Sequence, residues 1–224
     1  CVLFAMVFLS IKEMKKKTGQ APDVTYKDFP IGKKMITFVY ANSVSDASSI
    51  NDFILRRLDE EGNELKEKDI FNYVKNYVPN NSSKEITTLE DALYYLFNGF
   101  TLVLFDDENK IIVFENKANR NSSIGKSENE KSLKGPTDAF TENYENNTGM
   151  IRRRLRSENL WFKECVVGRE SKTRVALFYM NGICDEKLVD DIYKKIEKID
   201  IEYVGNANYI LDAISNPNRA IFPT

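Results

Sequence analysis

Two stretches decide how this chain is read: ITFVYANSVSD, Ile36 to Asp46, and VALFYMNGICD, Val175 to Asp185. Each begins as a continuous apolar run, the pattern of a strand covered on both faces. Each then leaves the strand at an Asn and reaches an Asp. An Asp there accepts hydrogen bonds from the exposed N–H groups that open a helix. The match extends upstream. YKDFPIG, Tyr26 to Gly32, lies against FKECVVG, Phe162 to Gly168, with three more residues in the second turn. Lys27, Gly32, Tyr40, Asn42, Asp46 and Asp52 recur as Lys163, Gly168, Tyr179, Asn181, Asp185 and Asp191. The repeated unit is strand, hairpin, strand, Asn-led loop, Asp-capped helix. The expected fold class is therefore α/β: two tandem, structurally similar subdomains with small mixed sheets flanked by helices.

Outward from the repeat, Asp69 to Val78 reads as a helix stopped by Pro79. Thr88 to Asn98 reads as another, with Thr88 as its cap, Asp91 three residues on, and Gly99 as its stop. Ile50, Phe53, Ile54 and Leu58 have the spacing of an amphipathic helix. Phe100 to Phe105 and Lys110 to Glu115 form a hairpin pattern around Asp106 and Asp107. Residues 118–134 are rich in Asn, Ser, Lys and Glu, a linker composition. From Gly135-Pro136 a helix is expected to about residue 156. Phe140, Tyr144, Ile151 and Leu155 share its apolar face, and Asn146 to Gly149 could break it. Near the end, Asp185 caps a helix and Tyr209 to Ile214 forms another. The expected parts are an apolar and basic segment 1–19, a first subdomain 20–117, a linker 118–134 and a second subdomain 135–224. The second copy stops where the first has its last helix and hairpin, so it reads as truncated. The opening run Val2 to Leu9, followed by Lys12, Lys15, Lys16 and Lys17, is too short for a membrane span of ~20 residues. It reads as a short helix docking on the body or on a neighbour, as the tail of a membrane anchor, or as an artefact.

Composition removes several classes of function. The chain has 224 residues and no histidine, so His-based nucleophile pairs and His zinc sites are excluded. A net charge of −2, from 32 basic and 34 acidic groups, is unlike a dedicated nucleic-acid binder. Cys1, Cys165 and Cys184 lack metal-site spacing and read as buried free thiols. Ser123-Ile-Gly125-Lys126-Ser127 resembles a phosphate loop, but Arg120 stands where its first glycine belongs. No catalytic residue, metal ligand set or cofactor motif emerges.

The basic run Ile151 to Arg156 places Arg152, Arg153, Arg154 and Arg156 at a helix end, which the helix dipole favours. It belongs to an ordered series: GPTDAFTE from Gly135 to Glu142, NTGMIRRRL from Asn147 to Leu155, Val167-Gly168, SKTRV from Ser171 to Val175, and YMNGI from Tyr179 to Ile183. This series closely resembles the N-terminal soluble domain of the A subunit of GerA-family spore germinant receptors. The resemblance is strongest over residues 135–224. Gly149 stands where the family usually has Ala, and Asp138 where it has Glu.

The resemblance implies a receptor in the inner membrane of a bacterial endospore, with this domain on the cytoplasmic side of a C-terminal membrane domain. It implies other A subunits, a transporter-like B subunit and a lipoprotein C subunit as partners, and nutrient sensing that leads to ion release. Arg152, Arg153, Arg154, Arg156, Glu142 and Asn147 are the candidate interaction residues, because guanidinium forks suit carboxylates. Asn42, Ser43, Asn181 and Gly182, at strand ends, are candidates for binding a small germinant or ion between the subdomains.

Overall fold

A computed structural model describes residues 11–18, 21–31, 34–46, 48, 70–77, 83–106, 110–118 and 140–215. The amphipathic pattern at 50–58, the phosphate-loop-like motif and nearly all of the 118–134 segment lie outside these residues. The chain divides into two compact units, 1–158 and 159–224.

The first unit is built on five antiparallel strands in the order β1-β2-β4-β5-β3. These are β1 (Val24–Ile31), β2 (Lys34–Ala41), β3 (Lys84–Ile86), β4 (Phe100–Phe105) and β5 (Ile111–Glu115). The hairpins β1–β2 and β4–β5 follow from sequence: apolar runs flank short polar turns. β2 is central and apolar, and both its faces are covered. Ile36, Phe38 and Tyr40 join one buried cluster with Ile70 and Val74 of α1 (Ile70–Tyr77). Val39, Ala41 and Val44 join the other with Leu93, Leu96 and Phe97 of α2 (Leu89–Phe97). Met14, from the helical residues 11–17, is fully buried in that second cluster. The apolar run Val2 to Leu9, read as a docking helix or the tail of an anchor, lies outside the described residues.

α3 (Tyr144–Arg154) completes the first unit. It is capped by Asn143, whose side chain accepts from the Asn146 N–H at 2.8 Å. Residues 146–149 stay within the helix and do not break it. Its buried face is also not the expected one: Thr148, Gly149, Met150 and Arg152 are buried, while Phe140 and Leu155 are exposed. A helical wheel ranks faces by apolarity, but here a charge with a buried partner turns the helix.

The second unit repeats the first hairpin. β6 (Leu160–Val167) pairs antiparallel with β7 (Thr173–Met180), and α4 (Glu186–Glu197) and α5 (Ala207–Ser215) follow. The register Val24↔Ala41 of the first copy recurs as Leu160↔Met180. The loops agree atom by atom. Asn42 N–H donates to the Asp23 carbonyl at 2.7 Å, and Asn181 N–H to the Asn159 carbonyl at 2.8 Å. Val44 N–H donates to Ala41 as Ile183 N–H does to Met180. The Asp46 carboxylate accepts from Ser48 N–H, and that of Asp185 from Lys187 N–H. The α/β class in two similar units is thus as expected, and the strand pairings among the described residues are antiparallel. The compact units divide at residue 158, and α3 packs on the first copy through Arg152 and Gly149. Neither described cysteine is fully buried: Cys165 is half-buried and Cys184 is exposed. Cys184 lies in the turn after β7, past the apolar run that suggested burial.

Candidate functional site

Of the four arginines in the run, one is wholly inside the protein. Arg152 is 0% exposed. Its Nε donates to one carboxylate oxygen of Asp23 at 3.0 Å and its Nη2 to the other at 3.0 Å. This is the two-point fork geometry that an arginine forms with a carboxylate and a lysine cannot. Asp23 immediately precedes β1, 129 residues away in sequence. It is itself buried and accepts a third bond, 2.6 Å, from the Ser43 hydroxyl. The guanidinium carbon lies 4.5 Å from the centre of the Phe97 ring, so the charge also faces an aromatic π-surface. A buried charge is tolerable only when paired and hydrogen-bonded, and this one is both.

The elements that create the clamp are legible one by one. β1 and β2 pair so that Asp23 and Asn42 sit together at the open end of the hairpin. The loop then folds Ser43 over the carboxylate. α3 crosses this loop so closely that a Cβ at Gly149 would overlap the Ser43 carbonyl oxygen. Glycine is needed here for space rather than for its backbone freedom, since its φ is not in the left-handed region. One helical turn on from Gly149, Arg153 is half-buried, while Arg154 and Arg156 are exposed. The Arg156 Nε donates to the Arg153 carbonyl at 3.1 Å, closing the helix end.

The other candidates are placed as follows. The Asn147 amide accepts from Thr141 N–H at 2.8 Å and donates to the Thr141 carbonyl at 2.7 Å. It fixes the segment entering α3 as a neighbouring strand would. Glu142 is exposed. Asn42 donates to the Thr25 hydroxyl at 2.8 Å, and Ser43 is 2% exposed beneath α3. In the second unit Asn181 is half-buried, and Gly182 has φ +79° with open space where a Cβ would sit. The structure thus unites Arg152 and Ser43 in one cluster with Asp23. Asp23 was missed as a site residue. A signal existed in the repeat: Asp23 corresponds to Asn159, and Ser43 to Gly182, so only the first copy has a carboxylate and hydroxyl at this point.

In the second unit, Lys163 pairs with Asp190 and lies over the Tyr193 ring. Asp190 binds its proton less readily than an ordinary carboxylate, first because Lys163 hydrogen-bonds to it. The Tyr193 hydroxyl donates to the Glu164 carbonyl at 2.8 Å, holding α4 to β6. Among the described residues, no group of three or more His, Cys, Asp or Glu is placed to hold a metal. Among them, too, no helix is long and apolar enough to cross a membrane.

The arrangement is suited to docking one element on another, and known proteins share its framework. The crystal structure of the N-terminal domain of the A subunit of the Bacillus megaterium spore germinant receptor GerK3 matches with a TM-score of 0.69 and 26% identity, covering 96% of this chain and 80% of that one. Spore germination protein KA of Bacillus subtilis is 27% identical over 96% of this chain, and spore germination protein GerQA of Bacillus cereus 25% over 96%. Stage V sporulation protein AF of Bacillus subtilis is 28% identical over 92%. The chain spans only 40–42% of the length of these three relatives. Residues 12–224 match the family described as Bacillus/Clostridium GerA spore germination protein, and to that family this chain belongs.

Proposed function

We propose that this chain is the N-terminal part of a germinant receptor A subunit and acts as a non-enzymatic module for assembly and signal transmission. The Arg152–Asp23 clamp carries the reading. It fastens α3 to the first unit, and residues 155–158 lead from α3 directly into the second. Any signal passing along the chain between the units runs through a helix anchored by a buried charge pair. Arg154 and Arg156 are exposed at the end of α3, and the reading places acidic groups of a partner against this basic surface. The partners proposed are other A subunits, a transporter-like B subunit and a lipoprotein C subunit. The setting proposed is the inner spore membrane with this domain on its cytoplasmic side, where nutrient sensing is relayed to an ion-conducting part.

The test is germination in spores carrying Arg152→Ala, or Arg154→Ala with Arg156→Ala, with receptor levels followed by immunoblot. Arg152→Ala is expected to lower receptor level or slow the nutrient response. The surface pair is expected to leave the domain folded and weaken assembly. Normal assembly and normal germination in both strains would overturn the reading. Direct binding of a small germinant or ion at the strand-end loops is the other reading. It has less support, because the Asn42 amide and Ser43 hydroxyl already serve Thr25 and Asp23. Calorimetry with a panel of amino acids, sugars, nucleosides and salts decides it, saturable heat favouring the loops.

A further inference from the structure

The chain holds two Asn-Gly pairs, Asn98-Gly99 and Asn181-Gly182. In such a pair the glycine nitrogen can attack the asparagine side chain, because no Cβ on the glycine hinders the approach. Asparagine is among the thermolabile residues for this reason. The fold treats the two pairs oppositely. The Asn98 side chain donates to the Tyr94 carbonyl at 2.6 Å. Gly99 is buried, and its N–H donates to the Leu96 carbonyl at 3.2 Å. Both reacting groups are thus held at the end of α2. In the turn after β7, Ile183 N–H and Cys184 N–H both donate to the Met180 carbonyl, at 3.2 and 3.0 Å, and pass over Gly182. Among the described residues, nothing accepts from the Gly182 N–H and nothing bonds the Asn181 side-chain amide. Gly182 is exposed, with open space where a Cβ would sit. The repeat shows what the second copy has lost. In the first copy the Asn42 amide donates to the Thr25 hydroxyl at 2.8 Å, and the next residue, Ser43, is buried beneath α3. Thr25 pairs with Tyr40 as Trp161 pairs with Tyr179, so Trp161 stands where that hydroxyl would be. An indole offers no acceptor.

We propose that Asn181-Gly182 is a site of covalent modification, at which Asn181 converts to aspartate and isoaspartate while the protein is folded. The Gly182 nitrogen gives its proton to a solvent base and attacks Asn181 Cγ. The C–N bond of the side-chain amide breaks, and its nitrogen takes up a proton and leaves as ammonia. The cyclic succinimide that remains is opened by water. Opening at Cγ gives aspartate. Opening at the backbone carbonyl gives isoaspartate, whose main chain runs through Cβ and Cγ. No oxidant or reductant is needed. The isoaspartyl chain is longer between the two residues, so the bonds to Met180 that close the turn cannot both persist. This turn carries β7 into α4, and Asn181 N–H also donates to the Asn159 carbonyl at the start of the second unit. Modification therefore loosens the head of α4 and the entry to β6 together. The inference stands apart from the receptor role proposed above.

The experiment ages the natural full-length chain, folded, in mildly alkaline buffer. The peptides carrying Asn42, Asn98 and Asn181 are then separated and weighed by mass spectrometry. Asn181 should convert at least about tenfold faster than Asn98, which must wait for local opening at the end of α2. In urea the two Asn-Gly pairs should convert at similar rates, because only the fold separates them. Gly182→Ala should slow conversion at position 181 by about tenfold or more, since a Cβ then hinders the attack. Asn181→Gln, which leaves the glycine in place, should remove the conversion. Ageing should lower the Trp161 fluorescence transition of the wild type and spare that of Asn181→Gln. Conversion at Asn181 no faster than at Asn98 in the folded chain would overturn the inference, as would undiminished conversion in Gly182→Ala. Matching Trp161 transitions in aged wild type and aged Asn181→Gln would overturn the loosening of the turn.

Discussion

At the residue scale, Arg152 shows how a charge can hold a fold together without being the cheapest way to do so. Truncation to Ala would leave the Asp23 carboxylate buried without its main partner, a loss of about 3–5 kcal/mol by analogy with other buried pairs. Arg152→Ala should therefore lower the urea midpoint of the first unit strongly. Arg152→Met with Asp23→Leu should cost less than either single change, because no charge is stranded. A double mutant as damaging as the sum of the singles would show that the two side chains are not coupled. Gly149 makes a second case. Gly→Ala normally helps a helix by roughly 1 kcal/mol. Here the added methyl meets backbone rather than a flexible side chain, so Gly149→Ala should destabilise by about 1–3 kcal/mol. Denaturant unfolding gives the sign, and sign is what separates the two effects.

At the scale of elements, local chemistry predicts well. Thr88 accepts from Asp91 N–H at 3.2 Å and donates to its carboxylate at 2.8 Å, as the spacing implied. Gly99, expected to stop α2, has φ +84°. Thr88→Ala should cost about 1 kcal/mol, and Asp185→Ala at the head of α4 a similar amount, measured in each unit's own transition. β3 escaped notice because three residues, Lys84–Ile86, are too few for an alternation to register. Its pairing with β5 depends on an edge that the sequence around it does not encode. The Lys163–Asp190 pair sets a pH expectation. The Asp190 pKa is lowered in the fold, so its stabilisation is present above the ordinary carboxylate pKa and lost as pH falls through the lowered value. Both groups are solvent-accessible, so the effect is small. Asp190→Asn should lower the second unit's stability slightly at neutral pH and leave it unchanged below the lowered pKa, so that the acid limb flattens a little.

At the scale of the whole molecule, each unit has its own buried residues, so unfolding in two steps is expected. Trp161, the one tryptophan, lies in β6 and reports the second unit alone. Its fluorescence transition should precede the far-ultraviolet circular dichroism change of the first unit. Arg152→Ala should shift the dichroism and spare the fluorescence. Coincident transitions that move together would show one cooperative molecule instead.

By itself the sequence determined the repeat, its strand-turn-strand hairpins, the caps at Thr88 and Asp185 and the family. All of these depend on spacings of a few residues: alternation in strands, an oxygen-bearing side chain at a helix start, a polar turn between apolar runs. Only the tertiary structure decided which of four adjacent arginines is buried, that Asp23 receives it, and that α3 belongs with the first unit. Arg152, Arg153, Arg154 and Arg156 are alike in polarity, so no local pattern ranks them. What separates them is the approach of α3 to a loop that exists only once β1 and β2 have paired. A bond spanning 129 residues is a property of that assembly and of no single stretch of chain.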